Sequence, residues 1–523
     1  MTELTNEPTN SANAETNKNV ISILPALAKA DPQLAGEAKA TLEAEDKKLA
    51  EVSRENGAMG GRPRIVRKDL AKRCIDAVYV KHGQLLLRRY MKSWYQYVDG
   101  CYSKVDDEDI EMEVTGWLSS DENAPDVTDS IVRDVLKNMK GNMLCGLPSK
   151  KYTMPCFLST GESAEGFVSM RNGIINIDAI EAALRSGVLP PPPLAHTPDL
   201  FTTFRLPYDY DPAATCPKFM NYLEGVQPKP ENREILQMLA GLILTPDTSY
   251  NVGFFLYGPS GTGKSVFLSI LIGLVGEENT CCVPLGDFGS RFGMWPLTTA
   301  LLNAVGDMPA MPESGWNANC EGCYKEATDG RPVKVERKNE NVYMAKVTAR
   351  NVFATNELPY FADRSGAIRD RLRIVPFNQR FRGTPLQNSD LTEELLEELP
   401  GILNWAIQGL VRLRELTASS DVKTFPHCEE GRQAVEDYLG SCDHEQEFLQ
   451  EATESAPNSK VESLCLYDEY KEWATDRGYR AVAIRKFVDA VKREYPNVVF
   501  SRKNDEHKRK VTFIQGISLL PFP

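Results

Sequence analysis

The segment Gly258-Pro259-Ser260-Gly261-Thr262-Gly263-Lys264-Ser265 limits what this chain can fold into more than any other stretch. It is a complete G-x-x-x-x-G-K-[ST] phosphate loop. Its glycines let the backbone turn with the N–H groups pointing inward, where they cradle phosphate oxygens at a helix N-terminus. Lys264 then reaches the β- and γ-phosphates, and the Ser265 hydroxyl can ligate Mg²⁺. The flanks supply the context that a glycine-rich surface turn would lack. Val252 to Tyr257 reads as a buried strand, and Val266 to Val275 as a buried helix ending at Gly276. The reading is an α/β core that binds a nucleoside triphosphate.

A phosphate loop alone does not separate kinases, transporters, GTPases and motors, so the downstream residues matter. Leu301 to Asp307 is an apolar strand ending in a carboxylate, which can hold Mg²⁺ and polarise the attacking water. Asn351 to Ala354 is another strand, delivering Thr355-Asn356 at its carboxyl end. Parallel sheets place ligands at strand carboxyl ends, which would gather Gly258, Asp307 and Asn356. An amide there can bridge the γ-phosphate and the attacking water; the plain alternative is a turn residue before Glu357-Leu358-Pro359. Arg364, Arg369, Arg371 and Arg373 follow, any one of which could stabilise transition-state charge in a neighbouring copy or simply face solvent. Between the two strands, Pro332 to Lys338, a turn at 339–341 and Val342 to Val347 predict a β-hairpin. Its cations Lys334, Arg337 and Lys338 suit a phosphate backbone, or equally a solvated surface.

At this point the sequence resembles the superfamily 3 helicases of the phage, plasmid and poxvirus primase-helicase group. The resemblance covers about residues 70–520. It rests on Arg171 to Ile177 with the following FRLPYDYDPAATCPKFMNYL, on LLNAVGDMP, on Tyr324 to Gly330 (YKEATDG) before the basic hairpin, on Thr355 to Phe377, and on GILNWAIQGL. It implies an AAA+ motor that forms a homo-oligomeric, hexameric ring, with ATP and Mg²⁺ bound between subunits and DNA in the pore. By motif position, Lys264 and Ser265 take phosphate and metal, Asp307 the Mg²⁺-water carboxylate, Asn356 the sensor, and Arg371 the trans-acting arginine with Arg369 in reserve. Two departures stand out. Many relatives carry paired acids where this chain has Gly306-Asp307-Met308, leaving the general base open, with Glu313 a distant candidate. No primase constellation precedes residue 200, so a separate primase or other replication protein becomes a possible partner.

Five regions are expected: a disordered tail at 1–62 with a transient helix near Leu34 to Ser53; an α/β pre-helicase domain at 66–212; the helicase core at 213–385; a helical segment at 386–458; and a winged-helix-like module at 459–523. The last rests on two amphipathic helical patterns, Glu462 to Trp473 and Ile484 to Tyr495, followed by two strand-like runs. Arg485, Lys486, Lys492, Arg493, Arg502, Lys503, Lys508, Arg509 and Lys510 make it basic, with Lys503, Lys508 and Arg509 placed to line a wing against duplex or forked DNA. The net charge of −13 argues weakly against nucleic acid, but acid concentrates elsewhere, so local charge decides. No apolar run is long enough to span a bilayer, the opening is no signal peptide, and twelve scattered cysteines suit a reducing compartment, so a cytoplasmic location is expected. Cys320 and Cys323 form a lone C-x-x-C, too few ligands for structural zinc. The leading expectation is an ATP-dependent helicase acting on single-stranded and forked DNA in replication of a phage, prophage or plasmid. The alternatives are a DNA-binding initiator or remodelling ATPase without processive unwinding, and a nucleic-acid-stimulated defence ATPase.

Overall fold

The computed structural model describes residues 67–121, 126–141, 145–308, 318–337, 342–359, 361, 366–381, 388, 390–420, 423–441, 444–477, 479, 481–504 and 510–520. The expected tail at 1–62, its transient helix, Glu313, Lys338, Arg364, Lys508 and Arg509 lie outside these residues. Contacts divide the chain into two units, and the division cuts through the region expected as one domain at 66–212. Among the described residues, one unit takes Arg67–Val80 together with Glu108–Cys145; the other takes Lys81–Asp107 and those from Gly146 onward.

The smaller unit is helical. Helices α1 (Arg67–Val78), α2 (Asp107–Ser120) and α3 (Asp129–Met139) bury Ala71, Ile75, Ile110, Val114, Val132 and Val135. The spacing of these apolar positions at three and four residues is what makes each helix amphipathic. Thr128 caps α3 by accepting from the Ile131 N–H.

The larger unit opens with a four-stranded sheet built from β1 (Leu87–Tyr90), β2 (Ser93–Val98), β3 (Cys101–Val105) and β4 (Gly146–Leu147). Tyr90, Tyr95, Tyr97 and Tyr102 pack edge-to-face with one another and with Phe201, so these aromatics form a core rather than a base-stacking platform. The hairpin β5 (Phe167–Met170) and β6 (Gly173–Asn176) leads into α4 (Ile177–Arg185), capped by Asn176. Helices α5 (Pro217–Val226) and α6 (Pro230–Leu242) then lead to the central sheet.

That sheet joins β7 (Gly253–Tyr257), β8 (Thr280–Cys281), β9 (Leu302–Val305), β12 (Arg350–Thr355) and β13 (Leu372–Pro376). All are parallel, in the order β8-β9-β12-β7-β13. The strands read as continuous apolar runs because helices and loops cover both faces. The polar exceptions are bonded. Buried Asn303 donates to Val283 O and Asn351 Oδ1 and accepts from Val283 N–H. Buried Arg350, whose guanidinium desolvation pushes down to about 10, donates to the carbonyls of Tyr250 and Asp247. Between β9 and β12 the chain forms α8 (Ala318–Thr328) and the hairpin β10 (Pro332–Val335) with β11 (Tyr343–Lys346).

After β13 the chain returns to this core through α10 (Leu399–Thr417), which lies against α6; a short helix, α9 (Ala367–Arg371), precedes β13. The helical segment expected at 386–458 is therefore partly core. Gly241 and Gly409 set the close approach: a Cβ on either would sit 2.3 Å from Ala406 O or 2.2 Å from Gln237 O. Overpacking of that kind costs about 1–3 kcal/mol. Helix α11 (Glu429–Ser441) follows.

The C-terminal module has the order α12 (His444–Ala452), β14 (Thr453–Glu462), α13 (Ser463–Asp476), α14 (Ile484–Glu494), β15 (Val499–Asn504), β16 (Lys510–Leu519). Its antiparallel sheet runs β14-β16-β15. Phe448, Leu449, Leu466, Tyr470, Phe487, Val491, Ile514 and Ile517 form one core, with Tyr470 stacked on Phe487 at 4.6 Å. The module thus starts upstream of residue 459, because α12 and β14 contribute to that core.

Candidate nucleotide and nucleic-acid site

Gly258 to Gly263 connects β7 to α7 (Lys264–Val275) at the carboxyl edge of the sheet. Gly258, Gly261 and Gly263 have φ of +151°, +81° and +96°, conformations that side chains disfavour. At Gly258 a Cβ would fall 2.2 Å from Phe377 O, so no other residue fits. The loop is braced from three sides. Tyr222 donates its hydroxyl to Gly263 O (2.9 Å), Phe381 N–H donates to Gly261 O (2.9 Å), and Gly258 N–H donates to Thr355 O (3.3 Å).

Lys264 is the first residue of α7 and is buried. Its ammonium donates to Gly258 O (2.6 Å), Pro259 O (2.7 Å) and Asn356 Oδ1 (3.0 Å). Burial lowers its pKa from the usual lysine range, and the charge of Asp307 pulls it back up. Ser265 is exposed on the first turn of the same helix, and Thr262 Oγ1 donates to Pro259 O. Asn356 follows β12, whose Thr355 is in register with Tyr257 of β7. Asp307 follows β9 and is exposed, with φ +46°, a left-handed conformation tolerated by aspartate more than by most residues. The ladder resumes at once, Met308 N–H donating to Ala354 O (3.1 Å). The structure thus brings Lys264, Asn356 and Asp307 to one sheet edge, with β12 between the strands that carry the loop and the acid.

Sequence reasoning passed over Glu357. It is exposed beside Asn356, its N–H donating to Thr355 Oγ1 (3.2 Å), and brings a second carboxylate to the same edge. The signal in the sequence was its position directly after the polar pair Thr355-Asn356.

Arg371 lies elsewhere. Leu372, the next residue, is in register with Gly253, the first residue of β7, whereas the phosphate loop leaves the far end of that strand. At about 3.3 Å per residue, Arg371 and the loop of the same chain are separated by roughly 16 Å or more. Arg371 Nη1 donates to Ala367 O (2.7 Å), and Nη2 is ion-paired with Asp329. Arg369 is more exposed and lies 3.9 Å from Glu436. Arg373 is buried, its guanidinium pushed down to about 10 by desolvation, and it donates to the carbonyls of Phe425, Pro426 and Asp370. Its place is structural. Asp329 also borders a polar cavity of about 790 Å³ on this side of the sheet, together with Asp247, Lys346, Arg414 and Lys423.

The hairpin carries Lys334 exposed on β10, opposite exposed Met344 on β11. The Arg337 guanidinium stands 4.8 Å above the Trp295 ring. Arg291 is ion-paired with Glu336 and lies 5.4 Å over Phe292, which is 43% exposed. The Arg291-Phe292-Trp295 segment was missed from sequence; its signal was alternation of cation and aromatic ahead of β9. In the C-terminal module, Arg485, Lys486, Lys492, Arg493, Arg502 and Lys503 all reach the surface, on α14 and β15. Cys320 lies within α8, its thiol donating to Gly286 O (3.2 Å), and burial raises the pKa of Cys323.

Comparison with known proteins adds the following. Residues 256–371 match a family model described as a family of unknown function, DUF5906. An uncharacterized mitochondrial protein of Marchantia polymorpha, ymf21, is 28% identical over 110 residues, which are 18% of this chain. The chain spans 61% of that relative's length. Among solved structures, the A form apo structure of the NrS-1 C terminal region overlays with TM-score 0.44 and 10% identity, covering 82% of this chain and 96% of that one. Another structure of that region, residues 305–718, overlays with TM-score 0.46 and 9% identity, covering 86% and 99%. No described helix is long and apolar enough to cross a membrane.

Proposed function

We propose that the chain is an ATP-driven DNA motor of the AAA+ type, working as a homo-oligomeric ring, hexameric by family resemblance, that unwinds DNA during replication of a phage, prophage or plasmid. One observation carries the reading: Lys264 and Asn356, 92 positions apart in sequence, meet at 3.0 Å over a braced phosphate loop. The placement of β12 between β7 and β9 agrees with it, since an inserted sensor strand can report on the γ-phosphate from between loop and acid.

The loop fits a triphosphate on its own geometry. The ammonium of Lys264 rests on loop carbonyls and on Asn356, and burial lowers its pKa. A bound triphosphate would give it an anionic partner. Ser265 and Asp307 would hold Mg²⁺, which neutralises charge on the β- and γ-oxygens when bound. Asn356 then orients the attacking water, and Asp307 or Glu357 accepts its proton. The arginine needed for transition-state charge comes from another copy, because Arg371 stands at the opposite sheet edge from its own loop. Lys334 and Arg337, with Phe292 and Trp295 alongside, grip a single strand by phosphate contact and stacking.

The exposed cations of α14 and β15 favour one second reading, a DNA-binding initiator or remodelling ATPase that melts duplex without processive unwinding. Strand displacement on forked DNA, measured with ATP and Mg²⁺ beside duplex binding, tests the first reading. ATPase activity with duplex binding but no displacement would select the second.

A further inference from the structure

The ion pair between Arg371 and Asp329 is not used by the function proposed above, and it joins two segments far apart in sequence. Asp329 follows α8 just before the hairpin arm β10; Arg371 ends α9 just before β13. The Arg371 side chain is 16% exposed and that of Asp329 23%, so the pair is largely withdrawn from water. A pair so placed is stronger than a fully exposed one, where screening leaves little. The guanidinium is held twice, by Asp329 at Nη2 and by Ala367 O at Nη1, which orients its planar fork at the amino edge of the sheet.

Resting on the reading above, we infer that Asp329 is the positioning residue for Arg371, holding the guanidinium ready for the triphosphate bound by a neighbouring copy. A long flexible side chain reaching across a subunit junction would otherwise lose rotamer freedom at the moment of reaction. Ordering it beforehand removes that cost from the barrier. Asp329 also ties this edge to the hairpin: Gly330, the next residue, has φ +65° and approaches Thr248 O so closely that a Cβ would sit 2.5 Å away. The carboxylate is thus presented from a closely packed turn.

The test is steady-state ATPase kinetics of full-length rings, with Asp329→Ala, Asp329→Asn and Asp329→Glu compared with Arg371→Ala. Asp329→Ala and Asp329→Asn should lower kcat by about tenfold to a hundredfold with KM for ATP nearly unchanged, and Asp329→Glu should recover part of the loss. Mixed rings add a readout that a merely structural role would not move. Mixing Asp329→Ala subunits with Lys264→Ala subunits should restore activity, since each supplies the half that the other lacks. Mixing Asp329→Ala with Arg371→Ala should restore none, since both lack the same half. Recovery in the second mixture, a kcat within twofold of the unmodified protein, or a loss confined to KM would each overturn the assignment. If Arg371→Ala and Lys264→Ala subunits themselves fail to complement, the shared-site reading fails, and the proposal about Asp329 falls with it for a distinguishable reason.

Discussion

The two edges of the central sheet are built on opposite terms. At the carboxyl edge the backbone itself is the site: three glycines at positive φ, a lysine lying on loop carbonyls, and an amide and a carboxylate arriving on neighbouring strands. At the amino edge the backbone contributes little beyond one carbonyl, and the feature is a side-chain ion pair, Arg371 with Asp329, beside an open polar cavity. Parallel strands explain the contrast, because all of them deliver their following loops to one side. A group at the other side cannot serve the same bound molecule. On the function proposed above, the loop at one edge and Arg371 at the other would belong to two different sites, each completed by a second copy.

Breaking the carboxyl edge should have the largest effect. Lys264→Ala is expected to reduce ATP turnover to background and to abolish nucleotide binding; retained turnover would refute the assignment of the loop. Breaking the amino edge comes next. Arg371→Ala should lower kcat by about a thousandfold while leaving ATP affinity within a few fold, as measured by binding titration beside turnover. If affinity collapses with kcat, the arginine serves its own chain and the contrast between the edges is lost. Asn356→Ala should cost about a hundredfold in kcat, the scale for one preorganised polar group at a transition state, with Lys264 still able to bind phosphate. Its effect would be sharper evidence if mixed rings with Arg371→Ala subunits rescue it while mixed rings with Lys264→Ala subunits, which carry an intact amide, do not, because amide and loop must act in one chain. Smallest is the hairpin. Lys334→Ala should weaken single-strand binding a few fold and make the slope of log K against log salt shallower by about 0.7 for each phosphate no longer neutralised, with basal ATPase unchanged. An unaltered salt slope would remove Lys334 from the strand-binding surface.

The glycine-rich turn after Tyr257, the strands expected from Val252 and from Leu301, the hairpin and the helix near Gly401 were legible because each is a local pattern. A parallel strand is a short apolar run, a hairpin a pair of runs about a turn, and a helix a 3.6-residue period. Boundaries drawn from composition fared differently. The region expected at 66–212 is split because α1, α2 and α3 pack with one another while the intervening strands join the rest of the chain. The C-terminal module reaches back to His444 because Phe448 and Leu449 belong to its core, and Ser459, where the module was expected to begin, lies within β14. The contact of Trp295 with Arg337 was out of reach for the same reason: nothing local says that a segment before β9 will lie against a hairpin after it.

By itself, then, the sequence determined where the glycine-rich turn lies and on which kinds of element Lys264, Asp307 and Asn356 stand, since glycine-rich turns, apolar strands and capped helices are specified by neighbours along the chain. Only the tertiary structure decided which of them share an edge. Strand order and register are settled by packing between distant segments, and that is what brings Asn356 to Lys264 and carries Arg371 away to Asp329.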